Sequence, residues 1–78
     1  MSKNVFEIVA SIMGVPVESV SEESTPATLP KWDSLRHMKL ILAVEESLRV
    51  EFNDEDIVSI KDVRGLMARI EAKRRGGA

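Results

Sequence analysis

The stretch DSLRHMKLILAVEESL, residues 33–48, opens with two polar residues and continues as a long apolar-periodic segment. Leu40, Ile41, Val44 and Leu48 recur at the spacing of one helical face. Leu35, Met38 and Leu42 form a second line, rotated away from the first. Together the lines span an arc of roughly 220° at 100° per residue, wider than a simple surface helix needs. Either the helix is central and packs on several neighbours, or its second line faces a partner protein, and both can hold at once. Asp33 and Ser34 are each able to cap such a helix. Side by side, and flanked by Trp32 and Leu35, they raise a second possibility: one residue caps, and Ser34 displays a chemically addressed hydroxyl.

Reading outward, Val5, Ile8, Val9 and Ile12 follow the i, i+3, i+4, i+7 rule, with Phe6 and Met13 widening the stripe. This predicts a first helix over roughly residues 3–13, capped by Ser2 or Asn4 and stopped by Gly14 and Pro16. A long connection follows from Val15 to Asp33, with Pro16, Pro26, Pro30 and the run SEEST. Connections of this length are usually functional or disordered; Val15, Val17, Val20 and Leu29 predict an ordered loop packed on the bundle, with a short helical turn near Glu18–Val20. Trp32 reads as a hydrophobic staple before the second helix. After Phe52, Asn53 or Asp54 caps a short helix anchored by Ile57 and Ile60. Asp62 then caps a final helix with the stripe Val63, Leu66, Met67 and Ile70, expected to fray near Arg74. No period-2 segment appears, so the expected fold is all-α: a small four-helix bundle of three longer helices and one short one. It fills one domain over residues 1–78, with a core at about 3–72 and a basic, glycine-containing tail at 73–78 expected to fray.

The chain has 78 residues and no cysteine, so a packed core must hold it without disulfides or a thiolate metal site. No apolar run reaches membrane-span length and no signal-peptide pattern opens the chain, which predicts a soluble cytoplasmic protein. The late basic residues Arg64, Arg69, Lys73, Arg74 and Arg75 carry no interleaved aromatic, which argues against nucleic acid. A catalytic reading rests on Ser34 and His37, three apart on one helix. It lacks an orienting third group and an oxyanion donor loop, and the lone histidine lies on the core side, where a backbone or carboxylate partner is commoner. The chain reads as no enzyme. One histidine and carboxylates without calcium-loop spacing predict no metal site.

Ser34 fits better as the substrate of another protein. A hydroxyl at a helix N-terminus sits where amide N–H groups and the helix dipole favour a phosphate. Asp33 beside it can cap the helix or help hold the metal of a phosphate-transferring enzyme, and Leu35 and Met38 flank it with an apolar docking line. Taken with these features, the segment DSLRHMKLILAVEESLRVEFNDEDIVSIKDVRGLMARI resembles the acyl carrier protein family, as does IMGVPVESV upstream. In that family an Asp-Ser-Leu motif opens the second helix. The combination of Asp-Ser-Leu with LAVEE, FNDEDI and a capped last helix is specific where the three-residue motif alone is not.

The resemblance implies that Ser34 carries a covalent 4'-phosphopantetheine derived from coenzyme A, with Asp33 as its motif neighbour. It implies a discrete, monomeric carrier holding an acyl or aminoacyl group as a thioester. Its partners would be a phosphopantetheinyl transferase, a loading ligase, and a downstream transferase or synthase of fatty acid, polyketide or related biosynthesis. Leu35, Arg36, Met38, Lys39, Leu42, Glu45 and Glu46 would form the recognition surface, and the core stripes would line a space able to shelter a bound chain. The run TLPKW replaces both the Asp-Leu-Gly-Ala type run of fatty-acid carriers and the paired glycines of peptidyl carriers. Arg36, His37 and Lys39 stand where fatty-acid carriers tend to be acidic, so a partner with a basic docking patch would meet like charge. These departures point to a specialised pathway. The rival reading is a helical adaptor in which Ser34 is only a cap.

Overall fold

The computed structural model describes residues 4–76. Four α-helices follow one another: α1 (Val5–Met13), α2 (Ser34–Leu48), α3 (Asp54–Ser59) and α4 (Val63–Gly76). A 3-10 turn at Val17–Ser19 interrupts the long α1–α2 connection. Among the described residues there is no strand, and the all-α bundle of three longer helices and one short helix is the one the periodicity predicts.

Local chemistry sets the helix ends. Asn4 caps α1 in a capping box with Glu7; Ser2, the alternative cap, lies outside the described residues. At the other end Gly14 turns the chain at φ 70°, and the N–H groups of Gly14 and Val15 both reach the Ala10 carbonyl. A side chain at Gly14 would strain this left-handed turn. Arg49 closes α2 with a positive φ of 58° although it is not glycine. Asn53 and Asp56 form a second capping box on α3. Asp62 Oδ1 accepts the Gly65 N–H at 2.6 Å at the start of α4. That helix continues to Gly76, past the point at Arg74 where the sequence suggests fraying, while residues 77 and 78 lie outside the described chain.

The core gathers Ile8, Val9 and Met13 of α1, Leu40, Ile41 and Val44 of α2, and Val63, Leu66 and Ile70 of α4. Each such burial is worth about 1.5–3 kcal/mol. The α1–α2 connection is packed on this core through Val20, Leu29 and Trp32, whereas Val17, one of its expected anchors, is exposed. The acidic run in this loop has a backbone role. The carbonyls of Ser24 and Glu22 accept the N–H groups of Val63 and Arg64, which have no acceptor inside α4. Ser24 itself is buried, and its hydroxyl accepts the Ser21 N–H.

α3 is tied to α4 by the buried carboxylate of Asp56, which meets Lys73 Nζ at 2.7 Å and Arg69 Nη1 at 2.9 Å. The hydrogen bond from Lys73 and that from the Asn53 backbone hold the Asp56 carboxyl below the usual carboxylate range, against the opposing effect of burial.

Candidate functional site

Of the two residues that could cap α2, Asp33 takes the role: its Oδ1 accepts the Arg36 N–H at 2.9 Å, and its carbonyl accepts the His37 N–H. Ser34 therefore occupies the first helical position, exposed, and its hydroxyl has no hydrogen-bond partner among the described residues. The amides of Ser34 and Leu35 belong to the first turn, where no intrahelical acceptor is available. A free hydroxyl at the positive end of a 15-residue helix fits an attached phosphodiester.

The rest of this turn is anchored on both sides. Arg36 Nη1 donates to the Ile12 carbonyl at 2.7 Å, so a cation meets the C-terminal end of α1. His37 Nε2 lies 2.8 Å from the Ile57 carbonyl, in the last turn of α3. Trp32 Nε1 donates to His37 Nδ1 at 3.0 Å, and the two rings lie edge to edge, their planes 21° apart and their centroids 6.1 Å apart. An indole N–H can only donate, so Nδ1 accepts and Nε2 carries the proton donated to Ile57. Trp32 is buried as a staple residue would be, but it meets His37 across the cap through a hydrogen bond and not through the apolar contact expected. Both imidazole nitrogens are engaged, and neither bonds the Ser34 hydroxyl.

The second apolar line of α2 is not core. Leu35, Met38 and Leu42 are 65%, 43% and 59% exposed, and Val58 of α3 is 73% exposed. Lys39 and Glu46 are also exposed. Arg36 and Glu45, expected on the same surface, are half-buried and make internal bonds: Arg36 to α1, and Glu45 Oε2 to the Phe52 N–H at 2.9 Å. A groove of about 700 Å³ runs beside Ser34. Its walls are Thr25–Ala27 of the loop, Ser34 and Met38 of α2, and Ile57, Val58, Ile60 and Lys61 at α3, with Trp32 and His37 at its inner edge. The sequence reading did not find this groove, because one wall, Ile57–Lys61, lies about 20 residues or more along the chain from the other two.

Among the described residues no helix is long and apolar enough to cross a membrane. No family model matches the chain. Curated relatives do. The chain is 33% identical over 66 residues to an acyl carrier protein of Syntrophobacter fumaroxidans, covering 85% of this chain and 82% of that one. It is 32% identical over 74 residues to an acyl carrier protein of Solidesulfovibrio magneticus, covering 95% of each. It is 29% identical over 65 residues to acyl carrier protein 3 of Ralstonia nicotianae, covering 83% of this chain and 75% of the relative. With the helical bundle and the free serine at the head of α2, these similarities place the chain in the acyl carrier protein family.

Proposed function

We propose that this protein is a non-catalytic carrier whose Ser34 hydroxyl is the attachment point for 4'-phosphopantetheine. The observation that carries this reading is the division of labour at the head of α2: Asp33 makes the cap, and Ser34 is left exposed and unbonded. Ser34 Oγ attacks the coenzyme A phosphorus that bears the pantetheine arm and gives up its proton to the transferase, while the pyrophosphate P–O bond breaks and adenosine 3',5'-bisphosphate leaves. The dipole of α2 and the amides of its first turn then favour the phosphate charge, while Asp33 keeps that turn wound. When attached, the group supplies a thiol that holds an acyl or aminoacyl group as a thioester, chemistry for which this cysteine-free chain has no side chain.

Leu35, Met38 and Leu42 are the surface we assign to partner enzymes, with Lys39 and Glu46 at its edge. Those partners are a phosphopantetheinyl transferase, a loading ligase and a downstream transferase or synthase, acting with the carrier in the cytoplasm. Of the cations that set this helix apart from fatty-acid carriers, Lys39 has no partner among the described residues while Arg36 is bonded to α1. An acidic docking patch on the partner suits Lys39, and this favours a specialised pathway.

The test is intact mass after incubation with a broad-specificity transferase, coenzyme A and magnesium, beside Ser34→Ala. The expected result is one phosphopantetheinyl group on the wild type and none on the variant. A folded wild type that gains nothing from an active transferase would leave Ser34 as a surface hydroxyl on a helical adaptor.

A further inference from the structure

The groove beside Ser34 touches the core only at Trp32 and Ile60. None of the seven most deeply buried side chains (Val9, Met13, Leu40, Ile41, Val44, Val63 and Leu66) lines it. What stands between is a hydrogen-bonded chain that crosses from the loop through α2 to α3: Trp32 Nε1 to His37 Nδ1 at 3.0 Å, and His37 Nε2 to the Ile57 carbonyl at 2.8 Å. Trp32 is 4% exposed, so its N–H has little access to water if His37 moves away. The Ile57 carbonyl belongs to the last turn of α3 and would lose its side-chain donor at the same time. α3 is also held from its far side, by Asp56 on Arg69 and Lys73. Separating α2 from α3 at this point therefore breaks the His37–Ile57 bond, for which the bond from Trp32 holds the imidazole in place, on a helix already anchored to α4.

Resting on the carrier reading above, we infer that His37 is a positioning residue for the cargo. Its hydrogen bond to Ile57, made by a ring that Trp32 holds in place, seals the boundary between α2 and α3, so an acyl chain carried on Ser34 lies in the open groove against Met38 and Val58 and stays outside the bundle. This departs from the sheltered cargo that the apolar stripes suggest. The groove's largely apolar walls can cover a chain on one side, while its open face leaves the thioester accessible to solvent and to a partner's active site. Such a carrier suits short cargo, or cargo that a partner collects without first drawing it out of a core.

The experiment loads the full-length protein with acetyl- or octanoyl-phosphopantetheine, using the transferase and the matching acyl-coenzyme A. Mass confirms loading, methyl NMR shifts locate the chain, and hydroxylamine cleavage reports access to the thioester. Octanoyl loading should move the methyl signals of Met38 and Val58 and leave those of Leu40, Val44 and Leu66 in place. Cleavage rates for the two cargoes should agree within about twofold, because a chain outside the core does not shield its thioester from water. In His37→Val the octanoyl chain should enter, shift the core methyl signals and slow cleavage severalfold, with the acetyl form unchanged. Trp32→Phe, which keeps a ring and drops the N–H, serves if His37→Val does not fold.

Core methyl shifts and octanoyl-specific protection in the wild type would overturn the inference while leaving the carrier reading standing. So would a folded His37→Val protein that handles octanoyl as the wild type does. Absence of any mass gain on the wild type would remove the carrier reading and this inference with it.

Discussion

Replacing Asp56 by Asn tests the lock between α3 and α4. The carboxylate accepts on both oxygens: Arg69 Nη1 on Oδ1 at 2.9 Å, and Lys73 Nζ at 2.7 Å with the Asn53 N–H at 3.0 Å on Oδ2. An amide has one accepting oxygen, so in either orientation its NH2 faces a donor, and the charge is lost as well. A hydrogen bond to a charged group contributes about 1.5–3 kcal/mol. Here the released cations recover some hydration, since the Arg69 and Lys73 side chains are 43% and 31% exposed. The expected cost at pH 7 is therefore about 1–2 kcal/mol after that discount. For a domain of this size it corresponds to a melting temperature lower by roughly 5–15 °C. The pH dependence has a defined sign. Asp56 is held below its ordinary value in the folded state, so its contribution is complete above the unfolded carboxylate pKa of about 3.9 and is lost as pH falls through the folded value. Urea denaturation of both proteins should show a constant gap from neutral pH down to about 5 and a narrowing gap below about 4. The other carboxylates titrate in both proteins and largely cancel in the difference. Equal stabilities at pH 7, or a gap that persists undiminished in acid, would refute the reasoning.

Two further substitutions separate structural charge from surface charge at the head of α2. Arg36→Gln removes the cation at the end of α1 and should cost about 1 kcal/mol in urea denaturation, whereas Lys39→Glu should stay within about 0.5 kcal/mol of wild type. Lys39→Glu should instead weaken turnover with the protein's own partner enzymes and improve recognition by fatty-acid enzymes; unchanged behaviour with both would rule out charge at this position as a determinant of partner choice. Arg49→Gly relieves a non-glycine residue at φ 58° and should raise stability by about 1 kcal/mol. A loss of stability on this change would mean that the arginine side chain contributes more than its backbone conformation costs.

The parts of this fold that were legible in the sequence are the local ones. Asn4, Asn53 and Asp62 each bond an amide three residues ahead, so cap and target lie within one turn and leave a spacing that can be read. The apolar stripes were legible for the same reason: a helix repeats its face every 3.6 residues whatever it packs against. Arg36 and His37 were legible only as charge and as a half-buried ring. Their acceptors are the backbone carbonyls of Ile12 and Ile57, 24 and 20 residues away. Every residue has a carbonyl, so such a bond leaves no mark at its accepting end. Ser24 was hidden in the same way, because its burial follows from its carbonyl meeting α4 and its hydroxyl closing a turn in its own loop. Ser34 stands out as the candidate site residue despite these omissions because Asp33 and Ser34 are neighbours, and a cap needs only one of them.

Ser34 is free because so much around it is committed. Trp32 bonds the imidazole of His37, Asp33 bonds the Arg36 amide, Arg36 reaches α1, and His37 reaches α3. Between these anchors stand Ser34, whose hydroxyl is unbonded, and Leu35, which is 65% exposed. A residue that another protein must find and modify faces two demands that pull apart. Its backbone should be fixed, so that recognition does not require ordering a flexible segment, and its reacting group should have no internal partner to give up. Drawing the fixing interactions from the flanking residues meets both. The same arrangement explains why positive charge in this turn is a poor guide to docking until each cation's partner is known: Arg36 is bonded within the bundle, and Lys39 is left for the surface.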